Sequence, residues 1–479
     1  MELYTAIVTA GLGGYNYTTE EDRHERIRLL IPMVDPVFVA KLAVYARTKM
    51  YLRSIPLVLV TELAKIHNGD GLVSKTIVKV IGRADEITEL LACYVAMNKR
   101  SGYKKLNKLS KQVKKGLADS FNNFDEYQFA KYDRPAEITL RDALFLVRPK
   151  AESEEQQLLF DKIADKQLNT PYTWETELSE LGQKSFSSKN ERDAAFRNKW
   201  EELVASGKLG YMALLRNLRN FLENEVSAEC IQIVGSRIRS EHEVTRSKQL
   251  PFRFLSAYRE IRKVKSEYSS FLLECIEEAV KHSVLNLKGF DLSTRLLIAC
   301  DVSGSMYSPL SKKSSIRYYD VGLLLGMLMN SKSKNVVTGI FGDKWKEFAL
   351  PSSQILANTE HLNRIEGSVG YSTNGFKVVE SLIKKEKVMD KIMLFTDAQM
   401  WDSTGSGKKF QSLWKTYKAT IAPSAKLYLF DLTGYGNVPL KIDGTDVFLI
   451  AGWSDKIFDV LVALENGESS LSEIDRIKV

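Results

Sequence analysis

The sequence predicts two fold classes in succession, an α-helical half followed by an α/β half. Through residues 1–290, apolar side chains recur at three- and four-residue intervals, and no alternating strand pattern interrupts them. From residue 291 onward, short apolar runs alternate with amphipathic stretches, which is the pattern of a doubly wound, mainly parallel sheet. We therefore predict two domains, residues 1–290 and residues 291–479.

The helical half is predicted to be an α-solenoid built from helical repeats. Its amphipathic segments, such as residues 35–67 and 211–224, are short and joined by short connectors. The sequence shows no sharp repeat signature, so any repeats have diverged.

The α/β half is predicted to place ligand-binding residues at one edge of its sheet. In doubly wound folds, ligands bind beyond the carboxyl ends of the strands, and Asp301 falls at such an end. The predicted strands are residues 295–300, 335–342, 391–397, 425–432 and 446–452, and the predicted helices are 319–332, 375–387, 409–420 and 454–465.

Composition indicates a globular, cytoplasmic protein. Hydrophobic residues make up 44% of the chain and charged residues 27%, which is typical of a packed core rather than of disorder. The apolar runs are too short for a membrane span, and no basic leader precedes the mildly apolar start. The four cysteines lack CxxC spacing and the five histidines are dispersed, so we expect reduced thiols and no zinc site. We also expect a monomer.

Clustered positive charge predicts a polyanionic partner. The net charge is +8, and Asn98–Lys115 holds eight Lys and Arg residues without an acid. A second basic stretch runs from Arg237 to Lys265. Lys111, Lys114 and Lys115 of the first stretch are candidate phosphate contacts.

Side chains that carry oxygen atoms lie in three loops beyond the ends of the predicted strands. Asp301 ends the first strand, Ser303 and Ser305 follow it, Thr373 precedes a helix and Asp397 ends another strand. Carboxylate and hydroxyl ligands without nitrogen or sulfur suit a small hard cation, Mg²⁺ or Mn²⁺.

This Asp-x-Ser-x-Ser pattern, with its downstream Thr and Asp, resembles the metal-ion-dependent adhesion site of von Willebrand factor A domains. The resemblance covers residues 292–479 and implies that these five residues bind the cation, directly or through water. It also implies that an acidic group of a partner completes the coordination. Family members often carry an aspartate directly after the threonine, where this chain has Asn374.

Other interpretations of the motif stay open at this stage. Ser303 or Ser305 can cap a turn between strand and helix. A serine nucleophile is disfavoured because the sequence has no G-x-S-x-G elbow. His361, the only histidine after residue 290, does not lie near a predicted strand end. Formation of an acylphosphate on Asp301 is disfavoured because the sequence lacks the phosphatase-like D-x-D-x-T pattern.

Residues 141–150, 173–182, 211–221 and 250–260 resemble successive segments of the TROVE module. That module followed by an A domain is the order found in the Ro ribonucleoprotein autoantigen family, here similar to a bacterial or phage relative. The resemblance implies a closed ring of HEAT-like repeats that binds structured Y RNAs on its outer surface and single-stranded RNA ends in its central hole. It further implies a place in RNA quality control, with an exoribonuclease tethered by the RNA or another protein held by the A domain.

The segment of residues 130–150 resembles the Y RNA patch of this family. Lys131 falls on a basic family position, Arg148 falls on a position usually held by histidine, and Arg134 lies beside a further basic position at Pro135. Arg216 and Arg219 share one helical face and are candidates for the channel.

The leading hypothesis is a non-enzymatic RNA-binding protein. The alternative is a metal-dependent protein-interaction scaffold whose basic faces are merely solvated. A third hypothesis, a metal-dependent nuclease or phosphatase, requires turnover in Mg²⁺.

Overall fold

The structure, a computed structural model, groups the described residues into two compact units. Unit 1 contains residues 21–180 and the C-terminal residues 474–479, and unit 2 contains residues 181–451. The described residues are 3, 4, 6, 7, 20–100, 106, 109–133, 135–249, 251–284, 293–309, 314–397, 406–432, 446–451 and 474–479. The division after residue 180 differs from the predicted domain boundary at residue 290, which stays a prediction from sequence.

Unit 1 is helical throughout its regular elements. Its helices α1 to α10 are Glu20–Leu30, Pro36–Thr48, Ser54–Ile66, Leu72–Val80, Asp85–Arg100, Lys111–Phe121, Glu126–Tyr132, Leu140–Val147, Glu154–Asp165 and Trp174–Gly182. α4 packs closely on α6 because Gly116 has no side chain; a Cβ there would lie 2.8 Å from the Ser74 carbonyl oxygen.

Polar residues at helix starts explain where several of these helices begin. Asp125 accepts a hydrogen bond from the Gln128 amide at 2.7 Å, and the Gln128 side chain accepts one from the Asp125 amide at 3.0 Å. Thr139 and Asp142 form the same reciprocal box at the start of α8. Each box satisfies two backbone donors that the first turn otherwise leaves unpaired.

The C-terminal residues pack on the helices of unit 1. Ile474 is fully buried, Lys41 Nζ donates to the Asp475 carbonyl oxygen at 2.7 Å, and Lys79 Nζ donates to the Lys478 carbonyl oxygen at 2.6 Å. The end of the chain therefore belongs to a different compact unit from the sheet that precedes it.

Unit 2 combines helices with an α/β sheet. Its first helices, α11 to α16, are Lys189–Ala205, Tyr211–Glu223, Ala228–Ile238, Glu241–Ser247, Pro251–Ile261 and Ser269–Val284. They are followed by β1 (Arg295–Asp301), α17 (Tyr318–Lys332), β2 (Asn335–Phe341), β3 (Trp345–Phe348), α18 (Ile355–Arg364), α19 (Phe376–Lys384), β4 (Lys391–Thr396), α20 (Ser406–Thr420), β5 (Lys426–Asp431) and β6 (Val447–Ala451).

The described strands form one sheet in the order β3-β2-β1-β4-β5-β6. All neighbours are parallel except β3, which runs antiparallel to β2. Leu297 and Ala299 face the core beneath α19 and α20, whereas Ile298 and Cys300 contact α17. Helices on both faces make the sheet doubly wound, with β1 at its centre.

The predicted fold classes are confirmed, with two elements added. β3 is a short, half-exposed edge strand, and α18 precedes the loop of Thr373; neither was predicted. The predicted helix at residues 454–465 lies outside the described residues. All four cysteines are free thiols, and no helix in the described part of the chain is long and apolar enough to cross a membrane.

A buried ion-pair network fixes α15 to the α/β part of unit 2. Arg259 donates to both oxygens of Asp320 at 2.8 and 2.5 Å and to Glu360 at 2.7 Å. Asp320 is fully buried in the first turn of α17, and it also accepts from the Arg317 amide and from Asn363. The Asp320 carboxylate is therefore fully hydrogen-bonded and is neutralised from another helix.

Removing the cation of this network should strongly destabilise unit 2. Arg259→Met leaves the Asp320 carboxylate buried without its partner, so we expect a loss of about 3–5 kcal/mol in the free energy of unfolding, measured by urea denaturation. The control Lys385→Met breaks an exposed pair with Glu347 and should cost at most about 1 kcal/mol. Equal losses in the two variants would contradict the structural role assigned to Arg259.

Candidate metal site and basic surfaces

Asp301 ends the central strand and is fully buried. One carboxylate oxygen accepts from the Thr396 hydroxyl at 2.7 Å, and the other accepts from the Ser303 amide at 2.8 Å. These two bonds fix the carboxylate at the carboxyl edge of the sheet. Thr396 was not singled out from sequence, although it directly precedes the predicted ligand Asp397.

The two serines of the motif lie side by side. The hydroxyl oxygens of Ser303 and Ser305 are 3.3 Å apart, at the start of the 3₁₀ segment Gly304–Tyr307. Ser303 occupies the N-cap position of that segment, but its side chain makes no capping hydrogen bond. The turn-capping interpretation of Ser303 is therefore not supported by the geometry.

Asp397 comes directly after β4, which pairs in parallel with β1 up to Phe395 and Cys300. Burial, and then the negative charge of Asp397, raise the pKa of Asp301 well above its ordinary value. Two buried carboxylates thus meet at this edge, and a cation between them would offset both effects.

Thr373 lies in a loop that is attached to two strand ends. The Tyr371 carbonyl oxygen accepts from the Gly304 amide at 3.1 Å, and the Asn374 amide donates to the Gly342 carbonyl oxygen at 3.1 Å. Gly342 permits this approach because a Cβ there would collide with the Gly370 carbonyl. Thr373 is therefore positioned by its neighbours on both sides, next to the Ser303–Ser305 loop.

The donor set fits a hard divalent cation. Asp301, Ser303, Ser305 and Asp397 supply carboxylate and hydroxyl oxygens, and Thr373 adds a half-buried hydroxyl in the adjoining loop. Within the described residues, no group of three or more His, Cys, Asp or Glu side chains offers a competing metal site. His361, on α18, lies against Phe348 of β3, and the two ring centroids are 6.5 Å apart.

Two exposed tyrosines flank the candidate metal loops. Tyr307 is 43% exposed and Tyr371 55% exposed, and the Arg317 guanidinium lies 3.6 Å from the centre of the Tyr307 ring. No periodic pattern in the sequence marks these tyrosines, because Tyr307 ends the short 3₁₀ segment Gly304–Tyr307 and Tyr371 lies in a loop.

The predicted RNA-binding residues of unit 1 lie on α6, α7 and the end of α8. Lys111, Lys115, Lys131 and Arg148 are exposed, and Lys114 is half-buried. None of these five forms an ion pair with a described residue. Arg134 lies outside the described residues.

Lys131 and Arg148 have distinct surroundings. Lys131 Nζ lies 5.5 and 5.7 Å from the ring centres of Tyr127 and Tyr132. Arg148 caps α8 in the left-handed region, with φ of 52°, and its amide donates to the Leu144 carbonyl. Arg148 is exposed at this position.

Arg216 and Arg219 of unit 2 are both exposed on α12. Arg219 is paired with Glu223 at 2.7 Å and with Glu260 at 3.1 Å. Burial, and then the positive charge of Arg216, lower the pKa of Arg253. Contact of Arg216 and Arg219 with RNA stays a prediction.

The second basic stretch is partly neutralised by ion pairs. Arg237 pairs with Glu243, Arg259 and Arg262 pair with Glu360, and Lys263 pairs with Glu260. Four of the nine Lys and Arg residues from Arg237 to Lys265 therefore have acidic partners, of which Glu243 and Glu260 lie within the stretch and Glu360 lies on α18. Sequence clustering alone did not distinguish these cations from unpaired ones.

Comparisons with known proteins match both parts of the chain. The TROVE domain matches residues 19–196 and 164–298, and the Ro60 vWA domain matches residues 295–464. The crystal structure of Deinococcus radiodurans RO (RSR) protein is similar over 98% of this chain and 99% of that one, with a TM-score of 0.65 and 17% identity.

Two curated relatives match over a short segment. Telomerase protein component 1 of Mus musculus is 41% identical over 103 residues, and that of Rattus norvegicus is 38% identical over 103 residues. These segments are 22% of this chain and 4% of either relative, so the chain spans a small fraction of their length.

Mg²⁺ is expected to stabilise the protein against heat, and more strongly at higher pH. Without a cation, the raised pKa of Asp301 means that the native state retains a proton that the unfolded chain releases above about pH 4, so stability falls as the pH rises through that range. Mg²⁺ must displace that proton, so its effect on the thermal midpoint should be larger at about pH 8 than at about pH 5.5.

Asp301→Asn should abolish this Mg²⁺ response. The matched control is Asp390→Asn, because Asp390 lies at the opposite edge of the sheet and pairs with Arg295; that variant should keep the response. An Mg²⁺-induced shift of wild-type size in Asp301→Asn would contradict the ligand set.

Proposed function

The chain belongs to the Ro family of TROVE-domain proteins, an RNA-binding family, and from this membership we propose that it binds small structured non-coding RNA of the Y type. The binding residues are Lys111, Lys114, Lys115, Lys131 and Arg148, together with Arg134. The protein then acts in RNA quality control or processing as a ribonucleoprotein.

The observation that carries this proposal is the unpaired positive charge of unit 1. In the second basic stretch Arg237, Arg259, Arg262 and Lys263 pair with acids, whereas Lys111, Lys131 and Arg148 face solvent without an acid partner among the described residues. Unpaired cations attract a polyphosphate because binding releases its condensed counterions. Tyr127, which is exposed beside Lys131, adds a flat surface on which an unpaired base can stack.

Further parts of the proposal extend the family's properties to this chain. Single-stranded RNA ends are bound by a second set of cations that includes Arg216 and Arg219. The protein is a cytoplasmic monomer without catalytic activity, and an exoribonuclease joins it through the RNA or the A domain. Asp301, Ser303, Ser305, Thr373 and Asp397 hold Mg²⁺ or Mn²⁺, which supplies a binding position for an acidic group of a partner.

A second candidate function is a metal-dependent protein-interaction scaffold. The exposed side chains of Tyr307 and Tyr371 beside the metal loops favour it, because aromatic residues are enriched in protein interfaces. This candidate predicts Mg²⁺-dependent capture of a protein and no affinity for RNA. A nuclease, in contrast, would shorten labelled RNA in Mg²⁺ and lose that activity in Asp301→Ala.

Binding of a labelled hairpin RNA, measured by filter binding across a salt series, tests the RNA proposal. We expect the affinity to fall steeply with salt, and the double variant Lys131→Gln/Arg148→Gln to bind about tenfold more weakly, with a salt slope reduced by about 2. Lys65→Gln is the control, because Lys65 already pairs with Glu62 in the same unit. Absence of binding at low salt would overturn the proposal.

A further inference from the structure

Helix α18 begins without a cap of its own, and a glutamate from another helix supplies one. Gln354, the residue before α18, makes no capping hydrogen bond with its side chain, and the first turn carries no acidic residue. The Glu277 carboxylate of α16 instead accepts from the amides of the first three helical residues, at 3.1 Å for Leu356 and 3.2 Å for Ala357. Three backbone donors that the first turn leaves unpaired are thereby satisfied, by a charge that suits the positive end of the helix.

The next turn of α18 is held by α15. The Glu360 side chain is only 13% exposed, and its two oxygens accept from Arg259 at 2.7 Å and from Arg262 at 2.8 Å. α15 and α16 pack on each other, and both pack on α18. The α15–α16 pair (residues 251–284) therefore fixes α18 at two successive turns.

The last turn of α18 leads into the loop that carries Thr373. Asn363 donates to Asp320 at 2.6 Å and to the Tyr319 hydroxyl at 3.0 Å, which attaches this turn to the start of α17. The chain then passes through the 3₁₀ segment Glu366–Val369 and reaches Thr373. Because closely packed elements transmit small shifts to their neighbours, the position of α18 influences that of the Thr373 loop.

We propose that Glu277 is a positioning residue for the candidate cation site: by seating α18, it helps to place the Thr373 hydroxyl for Mg²⁺. This role rests on the proposed cation site and adds to it a residue whose hydrogen bonds reach none of the five candidate ligands. Glu277 lies in the part of the chain matched by the TROVE domain, whereas α18 lies in the part matched by the Ro60 vWA domain. The affinity for Mg²⁺ is therefore set in part by helices that precede the sheet.

Isothermal titration of Mg²⁺ into the metal-free, full-length protein tests this role. Groups that orient metal ligands typically change the metal affinity about 10- to 100-fold, and Glu277 acts one helix further away, so we expect Glu277→Gln to weaken Mg²⁺ binding about fivefold. The matched control is Glu278→Gln, which removes the adjacent, exposed carboxylate of the same helix and should bind Mg²⁺ like wild type.

A purely structural role for Glu277 predicts a different result. Loss of the cap would then lower the thermal midpoint of metal-free Glu277→Gln and leave the dissociation constant for Mg²⁺ at the wild-type value. That combination would overturn the proposed positioning role.

A double-variant cycle tests the route through the loop. Thr373→Val removes the hydroxyl that Glu277 is proposed to place, so adding Glu277→Gln to Thr373→Val should cause little further loss of Mg²⁺ affinity. If the losses of the two single variants instead multiply in the double variant, Glu277 does not act through Thr373.

Arg262→Gln provides a second test if Glu277→Gln does not fold. Arg262 is half-exposed and shares Glu360 with Arg259, so its removal loosens α18 while the buried pair remains. We expect weaker Mg²⁺ binding in this variant as well, and a wild-type affinity would contradict the control of the site by α18.

The outcomes separate this role from the cation site on which it rests. If wild type shows no Mg²⁺ binding that Asp301→Asn abolishes, the cation site fails and the role of Glu277 fails with it. If wild type binds Mg²⁺ through Asp301 and both Glu277→Gln and Arg262→Gln bind it equally tightly, the positioning role alone is wrong.

Discussion

The salt bridge between Arg259 and Asp320 is the contact on which the arrangement of unit 2 depends. Asp320 is buried in the first turn of α17, the helix that follows the Ser303–Ser305 loop and packs on the central strand. Burying the Asp320 carboxylate removes it from water, which costs several kcal/mol unless a partner such as Arg259 compensates the charge. α15, which supplies Arg259, therefore helps to hold α17 in place behind the Ser303–Ser305 loop.

The same physical rule sorts the basic residues of the chain into two groups. Arg237, Arg259, Arg262 and Lys263 have acidic partners and stabilise the fold. The lysines of α6 and α7 and Arg148 have no acidic partner within the described residues. Their charge can therefore be neutralised by a ligand, and RNA phosphates supply that charge in the account proposed above.

Local patterns were sufficient for the fold classes and for the candidate metal site. Helical periodicity and strand–helix alternation are properties of neighbouring residues, and parallel strands bring Asp301 and Asp397 to one edge by topology alone. The acidic partners of the cations could not be predicted from local patterns, because partners such as Arg259 and Asp320 are 61 residues apart in sequence. β3 was not predicted because four half-exposed residues are too few to show a strand pattern. Thr396 was not predicted because its hydrogen bond to Asp301 forms only when β1 and β4 lie side by side.

The central claim is that unpaired cations on the helical part hold a small structured RNA. Purifying the protein from cells that contain its natural RNA, and sequencing the RNA that copurifies, tests this directly. We expect one dominant small stem-loop species with wild type, and strong depletion of that species with Lys131→Gln/Arg148→Gln. A mixture of unrelated fragments that is the same for both proteins would contradict it.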